Sequence, residues 1–135
     1  MNYYSCGFFF NPESQKVLLH LRDEKAPVNP NKWALFGGMS ETEDKDPVAT
    51  FIREIEEELG VNVVAGEVVY LIDYLTPVGH QRFVYFVSKN ITDSEIKLSE
   101  GKDYGWFSLL DAFDLDLTKG ALADLKTFKK FVDRI

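Results

Sequence analysis

A single cysteine and two histidines in a chain of 135 residues leave little room for thiolate or imidazole chemistry. Cys6, set in an apolar stretch, can form no internal disulfide and no thiolate metal cluster, so it reads as a small core residue. His20 and His80 lie far apart, and neither has metal-ligand spacing to another histidine. No apolar run approaches the roughly 20 residues that span a bilayer, and Met1-Asn2-Tyr3-Tyr4 lacks the basic and apolar regions of a signal peptide. A cytoplasmic protein without a membrane partner is therefore expected. No block of lysines and arginines occurs, and the formal net charge is −7, which argues against duplex nucleic acid, because phosphate binding normally draws on Lys and Arg. Repeats and low-complexity segments are absent too. With 45% hydrophobic residues, the expectation is one domain over residues 1–135, and the sequence carries no mark of oligomeric state.

What is present is a run of short apolar segments separated by turn residues. Tyr3 to Phe10 and Lys16 to Arg22 flank the turn Asn11-Pro12-Glu13-Ser14 and read as an antiparallel hairpin. A polar loop, Asp23 to Lys32, leads to a short strand, Trp33 to Phe36, ending at Gly37-Gly38. Asp46 before Pro47 supplies an N-cap and an N1 proline, and Gly60 supplies a stop, so a helix is predicted over about 47–59. Asn62 to Tyr74 and Gln81 to Ser88 read as two further strands, Trp106-Phe107-Ser108 as a brief one, and Leu109 to Phe113 as one helical turn. Leu122, Leu125, Phe128, Val132 and Ile135 have helical spacing to the C-terminus. Strands with one helix inserted and another at the end predict an α/β fold of mixed α+β character, a mixed sheet with helices on both faces.

The central helix carries the chemistry. At roughly 100° per residue, Val48, Phe51, Ile52, Ile55 and Leu59 share about a third of its circumference, while Glu54, Glu57 and Glu58 share an adjacent arc. Like charges three and four apart each cost the helix on the order of 0.2–0.5 kcal/mol, and a divalent cation reverses that sign. Oxygen ligands without cysteine or clustered histidine suit Mg²⁺, which is commonly held by one or two carboxylates together with substrate phosphate oxygens. The alternative for such a cluster is a solvated helix face, and for Arg53 a surface pair with Glu57 four residues on.

Arg53-Glu54-Ile55-Glu56-Glu57-Glu58-Leu59-Gly60-Val61 resembles the second half of the Nudix hydrolase signature at every fixed place. That signature reads glycine, five residues, glutamate, seven residues, then REUXEEXGU, with U a bulky aliphatic residue. The likeness covers residues 33–61 closely, and the order of elements fits the whole chain. It implies a Nudix-type α/β/α sandwich with a central mixed β-sheet. It also implies a Mg²⁺-dependent hydrolase, with Mn²⁺ as a substitute, that cleaves a phosphoanhydride bond in a nucleoside diphosphate linked to another moiety. The partner would be a small-molecule nucleotide: a nucleoside triphosphate, a nucleotide sugar or a dinucleotide.

Carried onto this chain, the resemblance makes Glu54, Glu57 and Glu58 metal ligands, with the Gly38 carbonyl as a further one, and makes Arg53 the residue that orients the glutamates. Glu54 and Glu58 join Arg53 as the catalytic set, with Glu54 favoured as the base. Glu100 comes second: Glu100 to Trp106 resembles the late loop of MutT-like members, where a glutamate six residues before an aromatic approaches the metal. Two places depart from the pattern. Gly38 lies one residue too far from Arg53, and Lys45 occupies the position of the first signature glutamate, so a one-residue insertion within Met39 to Asp44 leaves Glu41, Glu43 or Asp44 to take that role. Phe36 stands where many relatives carry proline. Outside the motif, Arg22 is a candidate phosphate clamp or a solvent-facing strand end, and Trp33 a base-stacking residue or a core residue. Two other classes remain: a catalytically inactive Nudix-fold nucleotide sensor, and an acidic Ca²⁺-binding or interaction module, which lacks an EF-hand loop.

Overall fold

The computed structural model describes residues 2–99 and 101–134. Its framework is a mixed sheet: β1 (Tyr3–Asn11), β2 (Lys16–Leu21), β3 (Trp33–Ala34), β4 (Phe36–Met39), β5 (Val68–Leu75), β6 (Gln81–Ser88) and β7 (Asp103–Ser108). The hydrogen-bonded order is β3-β2-β1-β6-β5, with β4 added to β1 and β7 to β2. β1 and β6 run parallel, and every other pair is antiparallel. Helix α1 (Pro47–Leu59) covers one face, and α2 (Leu109–Phe113) and α3 (Lys119–Asp133) cover the other.

This layering follows from side-chain alternation. Phe8 and Phe10 of β1, Leu19 of β2 and Val84 and Phe86 of β6 point toward α3, where Leu125 and Phe128 meet them. The intervening Phe9, Leu18, Tyr85 and Val87 point toward α1 and meet Phe51, Ile55 and Leu59. A sheet buried on both faces reads as continuous apolar runs, as these strands do. Each large apolar side chain buried this way contributes about 1.5–3 kcal/mol, so the central strands β1 and β6 anchor both layers.

Helix α1 has the bounds its caps predict. The Asp46 side chain accepts a hydrogen bond from the Ala49 amide at 2.8 Å, Pro47 occupies the first turn, and Gly60 closes the helix in a left-handed conformation at φ 67°. The expected strand over Asn62 to Tyr74 is corrected: β5 begins only at Val68. Val61 and Val63 are buried in an extended run, after which Glu67 accepts from the Val64 amide at 3.1 Å and turns the chain. β7 starts earlier than the brief strand expected, because the register from Leu21–Asp103 to Lys16–Ser108 extends it along β2. β4 runs through the glycine pair, opposite Tyr4 to Gly7 of β1.

Candidate metal and nucleotide site

Two acids of α1 and two of the loop before it meet at Arg53. The Arg53 Nε donates to Asp44 Oδ1 at 2.9 Å and its Nη2 to Asp44 Oδ2 at 2.9 Å, a fork-on-fork pair. Its Nη1 donates to Glu54 Oε2 at 3.0 Å and to Glu57 Oε2 at 3.2 Å, and lies 3.3 Å from Glu41. Its Nη2 also reaches the Met39 carbonyl at 3.2 Å. The surface pair with Glu57 is thus real, but it is one contact among several, and the guanidinium holds acids of both α1 and the preceding loop.

Of the three acids the sequence leaves open, Asp44 is the one embraced. Besides Arg53, its Oδ2 accepts from the Thr50 hydroxyl at 2.8 Å and the Glu41 amide at 2.8 Å. The hydrogen bonds from Arg53, foremost among these influences, hold the Asp44 carboxyl well below the usual carboxylate range. One residue before the lysine that stands in the signature position, a shorter carboxylate therefore grips the signature arginine.

The three glutamates occupy different environments. Glu58 is buried, 3% exposed; its Oε2 accepts from the Gly37 amide at 3.1 Å, and its Oε1 lies 3.6 Å from His20 Nδ1. Glu54 is mostly covered and lies against Gly38: a Cβ there would stand 2.6–2.7 Å from the Glu54 carboxylate. Glu57 is about half exposed. Among the described residues, no three Asp, Glu, His or Cys side chains converge on one point, because Arg53 draws Glu54 and Glu57 while Gly37 and His20 engage Glu58.

The donor set still fits a hard cation. It consists of carboxylate and backbone oxygens, and the missing side chain at Gly38 is what leaves room for the Glu54 carboxylate beside the β4 backbone. Glu57, on the open side, is the acid best placed to swing. Glu100 lies outside the described residues. Its neighbours are at the site: the Ser99 amide donates to the Glu58 carbonyl at 3.0 Å, the Ser99 hydroxyl to the Glu57 carbonyl, and Gly101 packs on the His20 imidazole.

Beyond β4 opens a groove of about 450 Å³, lined by Tyr4, Arg22, Leu35, Met39, Arg82 and Gly120 among others. β4 joins the two regions, since Gly38 touches Glu54 and Met39 borders the groove. Arg22 sits just past β2, with Nε donating to the Val28 carbonyl at 3.0 Å, and thus faces the groove. Trp33 does not line that groove. Its ring packs edge-on against Phe107 at 4.9 Å, at the border of the α3-side core.

Sequence reasoning misses three residues here. His20 has no histidine partner along the chain, yet the hairpin carries it to Glu58. Arg82 of β6 and Asp124 of α3 form an ion pair in the groove wall, Nη2 to Oδ2 at 2.8 Å. The available signal is Asp124 itself, an acid between Ala121 and Leu125 on the apolar stripe of α3.

The NUDIX domain family model matches residues 4–131, and the chain belongs to the Nudix hydrolase family. Among curated proteins, none matches the chain significantly. Similar folds are found in the solution structure of the E. coli ORF135 protein, with 20% identity, a TM-score of 0.73 and coverage of 96% of this chain and 89% of that one. A C. elegans Ap4A hydrolase binary complex shares 16% identity at a TM-score of 0.70, covering 98% and 99%. The NUDIX domain of Shewanella oneidensis NrtR, complexed with ADP ribose, shares 20% identity at a TM-score of 0.72, covering 97% and 86%.

Proposed function

We propose that the chain hydrolyses a phosphoanhydride bond in a nucleoside diphosphate linked to another moiety, using Mg²⁺ or Mn²⁺. The observation that carries this reading is the continuity through β4: its Gly38 abuts the acids of α1, and its Met39 borders a groove that Arg22 faces. Diphosphate and nucleoside can lie on either side of one strand.

In this reading Glu54, Glu57 and Glu58, with the Gly38 carbonyl, hold the cation, and Glu100 is a further candidate ligand. When bound, the cation neutralises the diphosphate and lowers the pKa of an attacking water. Arg53 holds the acids of α1 against their mutual repulsion and ties them through Asp44 to the preceding loop. Asp44 takes the place of the first signature glutamate. Gly37 and His20 hold the buried Glu58 carboxylate on the sheet side. A Glu54 carboxylate oxygen accepts the proton of the attacking water, and Arg22 contacts a phosphate oxygen of the substrate.

Glu58→Gln tests the assignment. The amide keeps an acceptor for the Gly37 amide, so the fold is expected to persist. Mg²⁺-dependent turnover is expected to fall by more than the ~10–100-fold typical of a residue that only supports a ligand. Full activity would refute the role of Glu58. Substrate class is read from a panel of nucleoside triphosphates, ADP-ribose, a nucleotide sugar and Ap4A, with Mg²⁺ and with Mn²⁺, resolving the products.

A nucleotide sensor is the second reading. Lys45 at the place of a signature glutamate favours it. Nucleotide binding without turnover in the same panel would establish it over the enzyme.

A further inference from the structure

The wall of the groove contains an arginine whose orientation is fixed from behind. Arg82 donates from Nε to Asp124 Oδ2 at 2.9 Å, and its Nη2 lies 2.8 Å from the same oxygen in an ion pair. The other carboxylate oxygen accepts from the Tyr74 hydroxyl at 2.6 Å. Asp124 is fully buried, and the Arg82 side chain is 13% exposed. The guanidinium is held on two further sides. Its carbon lies 5.0 Å from the centroid of the ring of Tyr4, its partner in the parallel β1–β6 ladder, and a Cβ on Gly120 would come within 3.0 Å of it. Nε and Nη2 face Asp124, and Arg82 lines the groove.

We propose, building on the nucleotide reading of this groove, that Arg82 is a specificity-determining residue. Positioned by Asp124, it selects a base that presents a carbonyl over one that presents an amino group at the edge it faces. Arginine has donors only, so it rewards an acceptor and rejects another donor. Both oxygens of Asp124 are occupied behind it, so the pair offers the groove no anionic acceptor that would welcome an amino group. A phosphate is the poorer occupant at this spot, because Asp124 offsets the charge of Arg82. Arg22, with no carboxylate in ion-pair distance among the described residues, supplies the unbalanced charge instead. Ala34, Leu35 and Val28 give the groove apolar surface that suits a heterocycle, beside the polar Asn29, His80 and Thr118, and the volume lies within the range of nucleotide-sized pockets. The carbonyl-over-amino rule is the one arginine follows when it reads guanine in nucleic acid.

The test is calorimetric titration of the full chain, without metal, with inosine and adenosine monophosphates, which carry a carbonyl and an amino group at position 6. Inosine monophosphate is expected to bind on the order of tenfold more tightly. Arg82→Met should bring the two affinities to near equality. Tyr74→Phe, which loosens Asp124 and leaves every charge in place, should lower the ratio while binding persists. Arg22→Met should weaken both nucleotides alike. Equal affinities in the unaltered protein, tighter adenosine binding, binding of neither nucleotide, or an unchanged ratio in Arg82→Met would each overturn the proposal. The unaltered protein decides the matter even where a variant does not fold. Because no turnover is read, an inosine preference in a protein that hydrolyses nothing would sink the hydrolase reading alone. Hydrolysis without the preference would sink only this one.

Discussion

Two arginine–aspartate pairs stand on opposite sides of β4, and their surroundings give them opposite characters. Arg53 and Asp44 lie near the rim, where the arginine also reaches Glu41, Glu54 and Glu57, and the aspartate accepts from the Glu41 amide and the Thr50 hydroxyl. Arg82 and Asp124 lie inside the wall, with Tyr74 and the Tyr4 ring as their company. Hydrogen bonding decides the first pair and depresses the Asp44 pKa. Burial decides the second: it raises Asp124, with Arg82 and Tyr74 pulling the other way. The rim pair is a hub that many acids share. The wall pair is closed upon itself and fixes one direction.

Removing one member should separate them most clearly. Asp124→Ala strands a buried guanidinium, and breaking a buried pair costs about 3–5 kcal/mol, so a large drop in urea-unfolding free energy is expected. Arg53→Ala leaves Glu41 and Glu57 free to turn to water, and Asp44 keeps its bonds from the Glu41 amide and the Thr50 hydroxyl, so about 1–2 kcal/mol is expected, while Mg²⁺-dependent turnover is expected to collapse. If the two variants lost equal stability, the contrast between hub and closed pair would be wrong.

That contrast is only half legible in the sequence. Arg53 stands in a contiguous motif on a helix whose caps, Asp46-Pro47 and Gly60, are local signals, so both the helix and its acid stripe can be drawn in advance. The apolar runs of β1, β2 and β6 likewise point to a sheet covered on both faces. Asp44 cannot be chosen over Glu41 and Glu43, because the choice depends on how a loop folds back onto Thr50 and Arg53. Arg82 and Asp124 are 42 residues apart and meet only because α3 returns across β6. His20 reaches Glu58 by the same kind of long-range closure, and the 3-10 turn at Ala65–Glu67 depends on burial of Val61 and Val63.

A smaller effect is expected from Gly38→Ala. Gly38 has no left-handed backbone requirement, so the added methyl acts through space alone, at 2.6–2.7 Å from the Glu54 carboxylate. Glu54 is the flexible partner and must move away. Stability should change by less than about 1 kcal/mol. Mg²⁺-dependent kcat should drop on the order of ten- to a hundredfold, by displacement of a carboxylate rather than its loss. Unchanged kcat would contradict the role proposed for Glu54.

Acid titration sharpens the comparison through its sign. The folded-state pKa of Asp44 lies below its unfolded value, so its contribution is fully present above the unfolded pKa and is lost as pH falls toward the folded one. The unaltered protein should therefore lose its stability advantage over Asp44→Asn as pH drops below about 4. Asp124 has the reverse sign: with its folded pKa raised, the protonated form favours folding, and the contribution is lost as pH rises. The advantage over Asp124→Asn should grow as pH falls through the carboxylate range. Urea midpoints at a series of pH values measure both slopes, and slopes of the same sign would contradict the assignment of causes.

The smallest expected effect is at Gly120, the wall's counterpart of Gly38. An alanine in the first turn of α3 brings its methyl to 3.0 Å from the Arg82 guanidinium, which Asp124 and Tyr4 keep from retreating. Replacing a helical glycine by alanine stabilises by up to about 1 kcal/mol, and the forced shift of a few tenths of an ångström works against that gain. The two should nearly cancel, leaving thermal stability within a few degrees of the unaltered protein. Where Glu54 can swing aside and lose its place, Arg82 must push back on the helix. Gly120→Ala should therefore leave the Arg82 guanidinium where Asp124 and Tyr4 hold it, and Mg²⁺-dependent turnover of a good substrate within about twofold, unlike Gly38→Ala.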